Sequence, residues 1–135
     1  SDAYLLRAHR HIGLSCDGGT SYLLPRAIGE KKTLELALLG ERITAAQALA
    51  LGMVNWVIEP PDFEAAASKI VTKLATGPTN ALARSKTVIR TSFEHTWQEQ
   101  SHAEARNVAL AVASQDHREG LAAFLEKRRP NFVGR

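Results

Sequence analysis

Asp17 stands in a short segment whose residue types suit proton transfer. It follows Cys16 and precedes Gly18 and Gly19, and His9 comes earlier in the same segment. An aspartate carboxylate can move a proton to or from carbon when it is held close to that carbon in a partly desolvated site. Histidine can serve as a base in place of a carboxylate, because a free imidazole titrates near neutral pH. Asp17 and His9 therefore have side chains of the types that such chemistry uses.

Each of these residues also has an interpretation without chemistry. Asp17 is suited to cap the helix expected after Gly18 and Gly19, since aspartate is a favoured N-cap residue. His9 is then a polar residue at the end of a strand. Cys16 would act as a nucleophile only if a histidine activated it, and His9 and His11 are near it in sequence alone.

The other histidines form no metal-binding pattern. They fall on predicted helical or capping positions, without ligand spacing between them: His95, His102 and His117. We therefore expect no metal.

The elements that must position Asp17 are mostly helices. The sequence predicts strands over 3–6 and 53–59, a loop over 12–19, and a helix over 20–28 that is kinked at Pro25. Further helices are expected over 31–39 and over 44–52, the second with a Thr44/Gln47 capping box. Another helix should follow an Asp62 cap, and two more should run through 82–93 and over 97–113. The last helix should run from an Asp116/Glu119 capping box to Pro130. Two strands rarely make an independent sheet, so either the chain is a fragment or another chain supplies further strands.

Composition excludes several classes of protein. The chain has 135 residues, 44% hydrophobic and 6% aromatic, with a formal net charge of +3. No basic stripe with interleaved aromatics is present, so nucleic acid is not an expected partner. No apolar run is long enough to cross a membrane, and a single cysteine without a signal-peptide pattern favours the cytoplasm. The basic run Lys127–Arg129 is either a solvated helix end or a site for a phosphate-rich ligand.

Three stretches resemble the crotonase (enoyl-CoA hydratase/isomerase) superfamily in order and spacing. They are IGLSCDGGTSYLLPR followed by Ile28 and Gly29, then LLGERITAAQALALGMVN, then DHREGLAAFLEKRRPNF. The resemblance covers essentially the whole chain. It implies an α+β, mostly helical fold that forms the C-terminal part of the crotonase-like fold. Residues 1–60 would be the end of the ββα spiral with the catalytic loop, and 61–135 would be the C-terminal trimerisation helices.

The resemblance also implies a function, and it makes Asp17 and His9 the candidate catalytic residues. Family isomerases have an aspartate at this position as a proton shuttle, and a dehalogenating branch uses it as a nucleophile. Family hydratases have a glutamate where this chain has His9, a departure that disfavours hydration. The backbone N–H groups that hold the thioester oxygen would lie in segments upstream of Ser1. We therefore expect an acyl-CoA enzyme, preferably a double-bond isomerase, that is incomplete as this chain; a hydratase and a non-catalytic, truncated assembly module are the alternatives.

The resemblance further implies how coenzyme A and other subunits are bound. Phe124 and Lys127 match positions where family members contact the adenine and phosphates of the CoA thioester, which is the substrate; no other cofactor is expected. Phe124 could instead pack in the core, because it shares a helix face with Leu121 and Leu125. A homo-oligomer, trimer or hexamer, is the expected assembly.

Overall fold

The computed structural model describes residues 2–135 and divides them into two compact units. One unit runs up to Glu64 and the other from Ala65 to Arg135. No helix within residues 2–135 is both long enough and apolar enough to span a bilayer.

Among its described residues, 2–64, the first unit combines a small sheet with three α-helices and two 3₁₀ helices. The 3₁₀ helices are Ala8–Ile12 and Pro60–Asp62. The strands are β1 (Tyr4–Leu6) and β2 (Arg42–Thr44), and the α-helices are α1 (Thr20–Ile28), α2 (Glu30–Leu39) and α3 (Ala45–Ala50). The 3₁₀ helix Ala8–Ile12 lies between β1 and the glycine loop, where the sequence had predicted only the end of a strand.

The sheet pairs β1 with β2 in antiparallel order. Leu5 lies opposite Ile43, which is buried. The predicted strand over 53–59 is wrong, because that segment has no ladder partner among the described residues. β-Branched residues favour an extended backbone, but a strand also needs a neighbour to accept its hydrogen bonds. The second strand is instead Arg42–Thr44.

Local signals in the first unit correctly marked the helix ends. Gly40 ends α2 in the left-handed conformation, with φ of 65°. Thr44 and Gln47 form the predicted capping box at the start of α3. Helix α1 begins at Thr20 and runs through Pro25 to Ile28, and the Gly29 N–H donates to the Pro25 carbonyl, 3.0 Å away.

The second unit is helical. Helix α4 (Phe63–Ala75) leads into it, directly after the turn that contains Asp62, and α5 and α6 pack against each other within it. Its remaining α-helices are α5 (Thr79–Thr91), α6 (Trp97–Val112) and α7 (Gln115–Leu125), and a 3₁₀ helix, Ser92–Glu94, follows α5 directly.

The predicted start and end of α7 are both wrong. Ser114 is the N-cap, and its hydroxyl accepts a hydrogen bond from the His117 N–H. Asp116 and Glu119 have capping-box spacing, but their carboxylates bind the C-terminal tail instead. The helix ends at Leu125, before Pro130, because Lys127 turns the chain with φ of 54°.

The C-terminal tail is fastened to the first turn of α7. The buried carboxylate of Asp116 accepts hydrogen bonds from the Val133 and Gly134 N–H groups at 2.7 and 2.9 Å. The Asp116 N–H donates in return to the Arg135 carbonyl at 2.9 Å. Charge-assisted hydrogen bonds compensate the cost of burying this carboxylate.

Candidate active site

The 3₁₀ helix Ala8–Ile12 presents consecutive polar side chains to different partners. Arg10 Nη1 donates to the Leu39 carbonyl at 2.6 Å, and His11 Nε2 lies 2.9 Å from the Gly40 carbonyl. Both contacts satisfy carbonyl groups at the C-terminal end of α2, which have no partner within their own helix. They tie the 3₁₀ helix to α2 and thereby fix the direction of its third polar residue, His9.

The loop that follows brings Asp17 back toward the 3₁₀ helix. The Leu14 N–H donates to the His9 carbonyl at 2.9 Å and closes the start of the loop. Gly18 and Gly19 both take left-handed φ values, 59° and 76°. Two successive residues of this kind reverse the chain before α1, and glycine adopts the conformation without the steric cost of a Cβ.

His9 and Asp17 are in direct contact. His9 Nε2 lies 2.7 Å from Asp17 Oδ1, and the side chains are 26% and 75% exposed, respectively. Within residues 2–135, the buried Nδ1 of His9 has no hydrogen-bond partner. The two candidate catalytic residues therefore form one site, in which the carboxylate remains open to solvent.

The capping interpretation of Asp17 is wrong. The N-cap of α1 is Gly19, and no side chain accepts a hydrogen bond from the first turn there. Asp17 contributes only its backbone carbonyl, which accepts from the Thr20 N–H at 3.0 Å. Its carboxylate therefore does not cap the helix, the role that would have competed with proton transfer.

A further residue, Arg7, adjoins the start of α1 and was missed by sequence reasoning. Arg7 Nη1 donates to the Thr20 hydroxyl at 2.5 Å, which joins the end of β1 to the first residue of α1. Arg7 Nε is buried and has no partner among residues 2–135. The basic segment Arg7–His11 was the available signal, but its contacts depend on the 3₁₀ helix that sequence reasoning did not predict.

The other site predictions fall on exposed positions. Cys16 is a free, exposed thiol. No group of three histidine, cysteine or acidic residues that could hold a metal occurs in the described part of the chain.

Phe124 and Lys127 lie at the end of the second unit. Phe124 is 80% exposed, so its interpretation as core packing is wrong. Leu121 and Leu125, on the same helix face, are exposed as well. The Lys127 N–H donates to the Phe124 carbonyl at 3.3 Å, within the turn that ends α7.

The first unit also contains an apolar cavity of about 450 Å³, apart from His9 and Asp17. It lies between β1, α3 and the segment 53–59. Its lining includes Tyr4, Leu5, Trp56, Val57, Ile58 and Phe63. The apolar residues of 53–59 thus line a cavity rather than pair in a sheet.

The first unit's small sheet and glycine loop, and the helices of the second unit, define the C-terminal half of a crotonase-like fold. A model of the enoyl-CoA hydratase/isomerase family matches residues 2–135. The chain belongs to this family of enzymes, as its three sequence stretches predicted.

Relatives carry different names within that family. The 1,2-epoxyphenylacetyl-CoA isomerase of Escherichia coli is 37% identical over 98% of this chain and 51% of its own length. The trans-2-decenoyl-acyl-carrier-protein isomerase of Streptococcus mutans is 35% identical over 96% of this chain and 49% of its own length. The chain spans about half the length of these curated relatives.

A solved structure agrees with the sequence relatives. The enoyl-CoA hydratase of Polaromonas sp. JS666 superposes with a TM-score of 0.91 at 33% identity, over 97% of this chain and 51% of that one. The prediction that the chain corresponds to the C-terminal half of the crotonase fold is confirmed.

Proposed function

We propose that the protein carrying this chain is an enoyl-CoA isomerase that moves a double bond between the α,β and β,γ positions of an acyl-CoA thioester. Asp17 is the proton shuttle and His9 is its partner. The observation that carries the proposal is the Asp17 carboxylate: it caps no helix, it contacts His9 at 2.7 Å, and its side chain is 75% exposed.

The reaction needs one carboxylate that both removes and returns a proton. Asp17 takes a proton from the γ or α carbon, and the electron pair of the broken C–H bond moves into a thioester enolate. The same carboxylic acid then protonates the other carbon, so that no water is consumed. Backbone N–H groups must stabilise the enolate oxygen, and the resemblance assigns these to segments preceding Ser1.

Isomerisation is preferred to hydration because of the residue at position 9. Relatives carry both names, since two are isomerases and others, including the one from Polaromonas, are hydratases. The position of His9 corresponds to a glutamate in family hydratases, and an imidazole tied to Asp17 is a poor replacement for a glutamate that must activate water. Hydration, a lyase reaction, is therefore the weaker assignment.

The second unit would bind the carrier part of the substrate. The exposed ring of Phe124 suits stacking on adenine, and the Lys127 ammonium suits an adjacent phosphate. We expect a cytoplasmic enzyme that needs no cofactor beyond the CoA thioester itself.

The test is an assay of the complete protein on 3-enoyl-CoA and 2-enoyl-CoA substrates. Asp17→Asn should reduce isomerisation at least about 100-fold, because it removes the group that carries the proton. Asp62→Asn, a change at an exposed aspartate outside the site, is the control. Hydration that proceeds unaffected in the Asp17 variant, without isomerisation by the wild type, would contradict the proposal.

A second function, a non-catalytic assembly module, is favoured by the apolar surface of the second unit. Trp97 is 82% exposed and Phe124 is 80% exposed, alongside Phe93 and Leu125. Exposed apolar residues in such number suit packing between copies, as in a trimer or hexamer. Sedimentation velocity tests this: a monomeric wild type would contradict the module, and an oligomer broken by Trp97→Ser, without any isomerase activity, would favour it.

A further inference from the structure

The imidazole of His9 contacts Asp17 in a way that fixes where its proton lies. Its Nε2 is 2.7 Å from Asp17 Oδ1, and an ionised carboxylate can only accept hydrogen bonds. The Nε2 atom must therefore be the donor. A neutral imidazole carries a single N–H group, so its Nδ1 then has a lone pair and no proton.

The surroundings of Nδ1 favour this same tautomer. Nδ1 is buried and has no hydrogen-bond partner within residues 2–135. A second proton at this atom would enclose an N–H group that has no acceptor among residues 2–135. With Nε2 occupied by Asp17 and Nδ1 enclosed, neither nitrogen of His9 is open to exchange a proton with a substrate.

The backbone that carries His9 is held independently of Asp17. Arg10 and His11, the next residues of the 3₁₀ helix, bond the carbonyl groups of Leu39 and Gly40 at the end of α2. Gly40 allows this close approach, because a Cβ there would lie 2.9 Å from Arg10 Cδ and 3.0 Å from His11 Nε2. The backbone at His9 is therefore held in place by these contacts, as is required of a residue that orients another side chain.

We infer that His9 is a positioning residue: as the neutral Nε2–H tautomer it holds Oδ1 of Asp17 and leaves Oδ2 to carry the proton. This inference rests on the proposed shuttle role of Asp17. In the reaction, Oδ2 gains the proton when the substrate C–H bond breaks and loses it when the new C–H bond forms. His9 keeps its own Nε2 proton throughout and takes part in no bond change.

The tautomer can be measured without any substrate. The complete protein is labelled with ¹⁵N-histidine, and long-range ¹H–¹⁵N spectra assign the protonated nitrogen of His9, with His9→Gln identifying the signal. We expect a protonated Nε2 and an unprotonated Nδ1 at neutral pH. A protonated Nδ1 with a bare Nε2, or the averaged shifts of a ring that exchanges tautomers freely, would overturn the inference.

Two amide variants separate positioning from mere packing. In His9→Gln the amide nitrogen can occupy the place of Nε2 and still donate to Asp17. In His9→Asn the shorter side chain reaches only the place of Nδ1, so the hydrogen bond is lost although a polar amide remains. We expect His9→Asn to lower kcat about 10- to 100-fold with KM unchanged, and His9→Gln to retain most of the activity.

The outcomes distinguish this inference from the proposed function. Equal losses in both amide variants, or full activity of His9→Asn while Asp17→Asn is inactive, would overturn the role of His9 alone. Isomerisation that survives in Asp17→Asn would overturn the shuttle itself. The histidine spectra report the tautomer in either case.

Discussion

Glu119 and Arg128 are joined by two parallel hydrogen bonds, from Nη1 to Oε1 at 2.6 Å and from Nη2 to Oε2 at 2.9 Å. The Asn131 N–H also donates to Oε1, at 2.7 Å. This arrangement fastens the chain after α7 to the helix, and its bidentate geometry is the kind in which an exposed ion pair contributes measurably.

The pair should make folding sensitive to acid. The hydrogen bonds from Arg128 and then from Asn131 lower the pKa of Glu119 from 4.5 to about 2. Because the folded pKa lies below the unfolded one, the stabilisation is complete above about 4.5 and is lost as the pH falls toward about 2. We expect Glu119→Gln to lower the thermal midpoint of unfolding at pH 7. Near pH 2 the midpoint of the variant should approach that of the wild type.

Thermal unfolding followed by circular dichroism across this pH range measures the effect. Glu41→Gln is the control, because it removes an exposed carboxylate that lies outside the pair. A constant difference between Glu119→Gln and the wild type at every pH would contradict the prediction.

Removing the Asp116 carboxylate should release the C-terminal tail. Asp116→Ala leaves the Val133 and Gly134 N–H groups without their acceptor, and we expect it to destabilise the fold by about 2–4 kcal/mol. Amide hydrogen exchange at residues 133 and 134 should accelerate. Gln115→Ala, a change at the exposed neighbouring position, keeps both bonds and should leave the exchange unchanged. Slow exchange in Asp116→Ala would show that other contacts hold the tail.

Gly40→Ala should lower the free energy of unfolding more than Gly52→Ala does. Both glycines have left-handed φ values, 65° and 73°, so alanine carries a conformational cost of about 1–2 kcal/mol at either position. A Cβ at Gly40 also meets Arg10 and His11, whereas nothing lies within 4 Å of one at Gly52. Urea unfolding of the two variants tests the difference, and equal losses of stability would argue against the close approach.

The N-cap of α6 should account for a measurable part of helix stability. The Thr96 hydroxyl accepts from the Glu99 N–H, and the Glu99 carboxylate accepts from the Thr96 N–H. This backbone hydrogen bond and the one from the Thr96 hydroxyl lower the pKa of Glu99. Thr96→Ala should destabilise the fold by about 1 kcal/mol, as measured by urea unfolding. Thr96→Ser keeps the hydroxyl and should leave the stability unchanged. Equal effects would assign the loss to the methyl group.

Short-range interactions explain which elements could be predicted from the sequence. Thr44 and Gln47 bond within one helical turn, so their spacing alone indicated the start of α3. The same spacing at Asp116 and Glu119 was misleading, because their partners come from the tail, a tertiary contact that no local pattern reveals.

The sheet and the candidate site also depend on tertiary contacts that a local sequence pattern does not reveal. A strand over 53–59 was expected from residue types, but a strand forms only where a neighbouring strand pairs with it. The strand that pairs with β1 is Arg42–Thr44. His9 and Asp17 were each candidates, yet their contact requires both the 3₁₀ helix and two left-handed glycines. Neither requirement could be derived from the composition of the segment.

The 3₁₀ helix before the glycine loop also limits which changes in chain length the site can tolerate. Such a helix turns about 120° with each residue, so His9, Arg10 and His11 point in three different directions. Deleting or inserting one residue after Arg7 would rotate all three away from Asp17 and the end of α2 together. Among descendants of this sequence, substitutions in the segment should therefore accumulate more readily than insertions or deletions.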